Sequence, residues 1–151
     1  SANSLLGLRS SMIWAIHTHG WQTGIVLNHK SAGETYLTYS DISALPDNSL
    51  SSERCVIYGT CNAGEGGSSA ANMVNITSQK GAMTVIGWQD TTYVNQMNTW
   101  LKYFLIRSGE GYTIQQAIEY ADERVFIEHN QYMGGLDNKL VAGNVTQKLV
   151  W

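Results

Sequence analysis

A cysteine and a histidine each follow directly on an apolar segment of the sequence. Residues 12–16 lead into His19 and Gly20, and residues 55–60 lead into Cys61. A thiol with its ordinary pKa of about 8.5 is mostly protonated at neutral pH, so a nearby imidazole is needed to favour the thiolate. We therefore interpret Cys61 as a candidate nucleophile and His19 as its candidate partner.

Each of these residues also has a structural interpretation. A lone cysteine after an apolar strand is more often a small buried residue than a nucleophile, and a lone histidine is more often a hydrogen-bonded polar group. Because both follow buried strands and adjoin small residues, the two interpretations are balanced on the residues alone. His17 is a competing base, but no glycine follows it, so His19 is preferred. Cys55 begins its strand and is expected in the core.

The elements that position these residues are predicted from the period of the apolar residues. Apolar runs indicate strands at residues 12–16, 55–60 and 82–86. Helices are expected at residues 68–77, 93–107 and 113–126, the last with a capping box. Shorter segments indicate a hairpin of residues 24–27 and 35–39 with a turn at 30–33, and terminal strands at 140–141 and 148–150. Strands separated by helices indicate an α/β sandwich of three layers with a mostly parallel sheet.

Active sites in such sheets form beyond the carboxyl ends of the strands. Neighbouring strands lie about 5 Å apart, so residues at two such ends can meet. The backbone N–H groups of Gly20 and Cys61 are then candidates for an oxyanion hole. A helix after the Gly-rich segment that follows Cys61 is expected to favour the thiolate by its positive end.

Composition narrows the classes of function. The 151 residues suit a single domain, and only 14% are charged, with a net charge of −3. No basic footprint for nucleic acid is present, and no apolar run approaches the ~20 residues that cross a bilayer.

Two cysteines at opposite ends of one predicted strand would lie about 20 Å apart, too far for a disulfide, and no zinc-ligand spacing occurs. The low charge favours an extracellular or cell-surface bacterial setting; the localisation is otherwise unknown.

The two strand ends resemble the caspase-like (clan CD) cysteine peptidases, which include caspases, legumains, gingipains, clostripain and CHAT domains. The shared pattern is an apolar strand into His19-Gly20 and an apolar strand into Thr60-Cys61-Asn62-Ala63-Gly64. Residues 80–88 and 111–118 resemble the next strand and a helix opening of gingipain-like and CHAT-like members, and residues 140–144 resemble a closing strand. The resemblance spans about residues 11–150.

The resemblance implies a role for each matching residue. Cys61 corresponds to the nucleophile, His19 to the histidine that chiefly protonates the leaving amine, and Gly20 to the oxyanion-hole glycine. The substrate pocket is expected to draw on the residues beside the two strand ends, namely Gly59, Thr60, Trp88, Gln89 and Asp90.

Two of these expected pocket residues, Asp90 and Trp88, each have a functional and a structural interpretation. Asp90 could accept Arg or Lys of a substrate, with Trp88 as a stacking wall. Alternatively, Asp90 is an N-cap or first-turn acid of the following helix, and Trp88 packs in the core or at its rim.

The chain also departs from the family. Gly143-Asn144-Val145 stands where members have a Gly-Asp-Pro-like turn, and few residues precede the first strand, although members place further strands there. Either the sheet is abbreviated or residues 1–151 are the carboxyl-terminal part of a larger caspase-like domain.

The resemblance implies a cysteine endopeptidase that acts on a protein or peptide substrate. Such an endopeptidase is expected to need no metal or organic cofactor, although activation by calcium is an alternative. The alternatives are a catalytically inactive caspase-like or CHAT-like module that binds a protein, and a different α/β hydrolase or thiol-dependent transferase with the same dyad.

Overall fold

The computed structural model describes residues 8, 12–28, 33–135 and 138–150, which group into two compact units. The first unit combines the described residues up to Thr91 with Lys139–Gly143, and the second combines Thr92–Asn138 with residues 144–150. That the whole chain forms one domain remains a prediction. Among the described residues, no helix is both long and apolar enough to cross a membrane.

Seven strands and four α-helices make up the described part of the chain. The strands are β1 (Ile13–His17), β2 (Gly20–Trp21), β3 (Gly24–Asn28), β4 (Thr35–Thr38), β5 (Cys55–Gly59), β6 (Thr84–Trp88) and β7 (Lys139–Gly143). The helices are α1 (Tyr39–Ser43), α2 (Met73–Gln79), α3 (Val94–Gly109) and α4 (Ile114–His129).

The first unit contains a four-stranded sheet in the order β1-β5-β6-β7. β1 and β6 each run parallel to β5, and β7 runs antiparallel to β6. Every residue of β5 and β6 is buried, as continuous apolar runs predict for the middle of a parallel sheet. The prediction of a mixed α/β fold with a mostly parallel sheet is confirmed.

The expectation that the strand before His19 is a buried strand is wrong. Ile13 is 38% exposed and Met12 is 58% exposed. In the described part of the chain, β1 pairs with β5 alone and so forms an edge of the sheet. Trp14 and Ile16 pack against the core on one face, and Trp14 meets the ring of Tyr58 edge-on.

A smaller antiparallel sheet, in the order β2-β3-β4, follows β1 in the first unit. The pair β3–β4 confirms the predicted hairpin, although most of its expected turn lies outside the described residues. Strand β2 was not predicted, because Gly20 and Trp21 are too short a segment to show a period. A two-residue turn, Gln22 and Thr23, joins β2 to β3.

Helix α2 begins later than predicted. A short 3₁₀ turn occupies Gly67–Ser69, and α2 starts at Met73 with Asn72 as its N-cap, the Asn72 side chain accepting from the backbone N–H of Asn75 at 2.9 Å. The helix therefore begins twelve residues after Cys61 rather than seven. The expected effect of its positive end on the thiolate stays a prediction. On its buried side, Thr77 bonds to the hydroxyl of Tyr58 in β5 at 2.7 Å.

The second unit is built from α3 and α4. Both helices were predicted, and the capping box of Thr113 and Gln116 is present at the start of α4. Trp100 donates from its indole to Asp122 at 2.7 Å, which ties the two helices together. The expected terminal strand at residues 148–150 is wrong, since only an isolated bridge joins Lys148 to Thr113.

Candidate active site

The ends of β1 and β5 lie at the same edge of the sheet. The two strands pair in parallel register, with His17 opposite Gly59 as the last pair. His19 and Cys61 each lie two residues past that pair. The strand register therefore carries both residues to the carboxyl-terminal edge where α/β sheets form their sites.

The segments that follow the two strands lie against each other at Gly20. A Cβ atom added to Gly20 would lie 2.7 Å from Oγ1 and 2.8 Å from Cβ of Thr60. Only glycine fits this position without a shift of its neighbours. The backbone that follows His19 thus lies directly against the side chain that precedes Cys61.

The Gly20 amide is directed away from the small sheet. In an antiparallel ladder, alternate residue pairs exchange hydrogen bonds, and the pairs between them point their backbone groups outward. The N–H of Val26 donates to the carbonyl of His19 at 2.9 Å, which makes these two residues a bonded pair. Gly20 is opposite Ile25, the next pair, so its N–H and C=O point away from β3. The orientation suits a donor for an external oxygen.

The segment after Cys61 is tied to the end of β6. The N–H of Asn62 donates to the carbonyl of Asp90 at 3.2 Å, and the N–H of Gly64 donates to the carbonyl of Trp88 at 2.9 Å. Asn62 adopts a left-handed conformation with φ of 62°, which turns the chain sharply behind the half-buried Cys61. Both of these amides are therefore engaged in the fold, and the oxyanion hole of Gly20 and Cys61 stays a prediction.

Amide side chains hold the Gly-rich loop of residues 62–72, which we name the nucleophile loop. The Asn72 amide group donates to the carbonyls of Glu65 and Gly67 at 3.1 and 3.0 Å. Asn75 adds bonds to the carbonyls of Gly67 and Ala70 at 2.9 and 2.8 Å. The loop is therefore anchored to the start of α2.

Gln22 connects the nucleophile loop to the hairpin that carries Gly20. Its side chain donates to the carbonyl of Glu65 at 3.4 Å, and its own carbonyl accepts from the N–H of Met73 at 3.1 Å. These bonds are a second link between the two halves of the site. Sequence reasoning missed Gln22, although its place two residues after Gly20, in a tight turn, was a usable signal.

The two cysteines lie in different environments. Cys55 is fully buried, and burial raises the pKa of its thiol to about 12. Cys61 is partly exposed, and neither cysteine forms a disulfide. The prediction that Cys55 is a core residue is confirmed.

Three of the five predicted pocket residues are buried. Gly59 is buried, and the side chains of Thr60 and Trp88 have no surface open to a substrate. The expected stacking role of Trp88 is therefore wrong: Trp88 ends the fully buried strand β6, and its indole lies in the interior. Thr60 likewise does not line a pocket directly.

Gln89 and Asp90 remain accessible after β6. Gln89 is half-buried, and its side-chain oxygen would lie 3.6 Å from a Cβ placed on Gly67 of the nucleophile loop. Asp90 is exposed and accepts from the N–H of Thr91 at 2.7 Å. The alternative of Asp90 as a cap of α3 is wrong, because Tyr93 is the N-cap and the first turn holds no acid.

An exposed aromatic pair also adjoins the site. Trp21 follows Gly20, and its ring meets Tyr36 edge-on with centroids 5.6 Å apart. Each side chain is 39% exposed. Sequence reasoning did not select them, since only the pairing of β2, β3 and β4 brings the two rings together.

No group of His, Cys, Asp and Glu side chains in the described residues is arranged to hold a metal ion. The residues selected at the two strand ends offer a thiol, an imidazole and backbone amides.

Solved structures provide the comparison with known proteins. The chain is similar to the Arg-specific cysteine proteinase gingipain R (RGPB), with a TM-score of 0.73 and 11% identity over 97% of this chain and 35% of that chain. It is also similar to a structure described as a protease, with a TM-score of 0.65 and 12% identity over 93% of this chain and 36% of that chain. No protein-family model and no curated protein matches the chain. The chain spans about a third of the length of these two solved chains.

These likenesses define a class of fold. The chain shares the caspase-like fold of gingipain R, a mixed α/β fold with a mostly parallel central sheet. The resemblance stated from the two strand ends is confirmed at the level of the fold.

Proposed function

We propose that this chain is a cysteine endopeptidase in which Cys61 is the nucleophile and His19 is its histidine partner. The observation that carries the proposal is the contact of Gly20 with Thr60. It joins the backbone that follows the histidine to the backbone that precedes the cysteine. The caspase-like fold, shared with a cysteine proteinase, supports the same assignment.

In the proposed reaction, the Cys61 thiolate attacks the carbonyl carbon of a peptide bond. The carbonyl oxygen becomes an oxyanion, which accepts hydrogen bonds from the amides of Gly20 and Cys61. His19 gives a proton to the leaving amine as the C–N bond breaks, and a thioester to Cys61 remains. Water then attacks the thioester, the acid product leaves, and the thiol is restored.

Asp90 is the proposed determinant of the residue before the cleaved bond. Its backbone carbonyl is bonded to Asn62, the residue after the nucleophile, and its side chain is exposed. A carboxylate in that place favours Arg or Lys in the substrate. Gingipain R, one of the similar solved structures, is described as Arg specific.

The nucleophile is tested with a panel of peptidyl acyloxymethyl ketones followed by mass spectrometry. We expect stoichiometric labelling of Cys61 in the wild-type chain and in Cys55→Ala, and none in Cys61→Ala. Because the His19 imidazole favours the thiolate, His19→Ala should slow labelling by about tenfold, and His17→Ala by less than about threefold. A wild-type chain that stays unlabelled would instead favour a catalytically inactive module that binds a protein.

The specificity is tested with fluorogenic peptides that carry Arg, Lys, Asp, Asn or Leu before the cleaved bond. We expect Arg or Lys to be preferred, and Asp90→Asn to lower kcat/KM for that substrate by about 10- to 100-fold. The matched control is Asp47→Asn, an exposed acid that precedes β5 and therefore lies away from its carboxyl end. If neither Arg nor Lys is cleaved while another residue is, the role of Asp90 is discarded and the peptidase is retained.

A further inference from the structure

Thr60 carries a buried hydroxyl that the fold does not use. The residue is fully buried, and among the described residues its Oγ1 atom has neither a hydrogen-bond partner nor appreciable solvent-exposed surface. Burying a polar group without a hydrogen bond costs free energy. Valine would fill nearly the same space without that cost. A threonine here, directly before Cys61, therefore needs an explanation beyond packing.

The hydroxyl lies against the backbone of Gly20. The 2.7 Å separation between Oγ1 and a Cβ placed on Gly20 means that the real backbone of Gly20 is its immediate neighbour. The Gly20 carbonyl points to the same side as the Gly20 N–H, away from β3. A carbonyl oxygen is an acceptor and a hydroxyl is a donor that rotates freely about its C–O bond. A rotation of the Gly20 peptide group that turns its carbonyl toward Thr60 would bring the two groups within hydrogen-bond range.

We propose that Thr60 is a positioning residue for the oxyanion hole. This inference rests on the proposed peptidase function. When a substrate carbonyl binds at the Gly20 N–H, the Thr60 hydroxyl donates a hydrogen bond to the Gly20 carbonyl. That bond holds the peptide groups of Gly20 in the orientation that the oxyanion requires. Because the hydroxyl is inaccessible to solvent, Thr60 acts through Gly20 and does not touch the substrate.

The test compares Thr60→Val, which removes the hydroxyl at nearly constant shape, with Thr60→Ser, which retains it. The control is Thr84→Val, another buried threonine, at the far end of β6. Each variant is assayed for kcat and KM with the five fluorogenic peptides. The rate of Cys61 alkylation by iodoacetamide is also measured, because that reaction forms no oxyanion. The thermal unfolding midpoint of each variant is measured to detect any change in stability.

We expect Thr60→Val to lower kcat by about tenfold or more, with KM changed by less than about twofold. Its iodoacetamide rate should equal that of the wild type, and its unfolding midpoint should be equal or higher. Thr60→Ser should keep kcat within about threefold of the wild type, and Thr84→Val should leave kcat unchanged.

Two results would overturn the inference while leaving the peptidase intact. One is a Thr60→Val variant with wild-type kcat. The other is a Thr60→Val variant whose iodoacetamide rate falls by the same factor as its kcat, because the substitution would then act on the thiol rather than on the oxyanion hole. A wild-type chain that neither turns over the peptides nor reacts with the acyloxymethyl ketones would overturn the peptidase proposal and this inference together.

Discussion

At the scale of single residues, burial separates two cysteines that composition alone cannot distinguish. Cys55 lies inside a fully buried strand, where a thiolate would lose its solvation, and the pKa of its thiol rises to about 12. Cys61 lies past the end of the same strand and is partly exposed. Only Cys61 can meet a reagent without unfolding of the sheet.

The raised pKa of Cys55 predicts a pH dependence of stability. Burial raises the pKa of this thiol from its ordinary value in the unfolded chain to about 12 in the folded chain. As pH rises above 9, the unfolded state loses this proton first, so the free energy of unfolding falls. Below pH 8 the contribution of Cys55 is constant.

Urea unfolding from pH 7 to pH 10.5 measures this effect, with Cys55→Ala as the matched control. We expect the wild-type free energy of unfolding to fall more steeply above pH 9 than that of Cys55→Ala. Parallel curves for the two chains would show that Cys55 titrates alike in both states.

At the scale of elements, the nucleophile loop depends on the residue that starts α2. Asn72 caps the helix with its side-chain oxygen and fastens the carbonyls of Glu65 and Gly67 with its amide nitrogen. One side chain thus performs two tasks. A sequence reading that starts the helix at Ser68 misses this, because Gly67–Ser69 form only a 3₁₀ turn and extended backbone separates them from α2.

Two substitutions at Asn72 separate its tasks. Asn72→Ser keeps an oxygen for the cap but loses both bonds to the loop, and we expect it to cost about 1–3 kcal/mol of stability. Asn72→Ala also loses the cap and should cost about 1 kcal/mol more. Urea unfolding measures both values. If the serine variant is as stable as the wild type, the loop bonds contribute nothing to the fold.

At the scale of the whole molecule, two features link the histidine segment to the cysteine segment. The parallel pairing of β1 with β5 carries both segments to one edge of the sheet. Gln22 then joins the β2–β3 hairpin to the nucleophile loop. Neither link involves residues near each other in sequence.

The sequence pattern by itself determined the α/β class, the buried strands β5 and β6, and the two long helices. Their apolar residues recur with the strand or helix period over enough residues to be recognised. Residue types and strand ends also selected Cys61, His19 and Gly20 as the candidate site, and led to the caspase-like resemblance that the fold confirms.

The tertiary structure decided which of the selected side chains are accessible and which unselected ones adjoin them. It buried Trp88 and Thr60, exposed β1 at a sheet edge, and placed Trp21 beside Tyr36. The physical reason is that burial and long-range contact depend on which strands become neighbours. A period of apolar residues shows which face of an element is covered, whereas the partner that covers it is set only when the whole chain has packed.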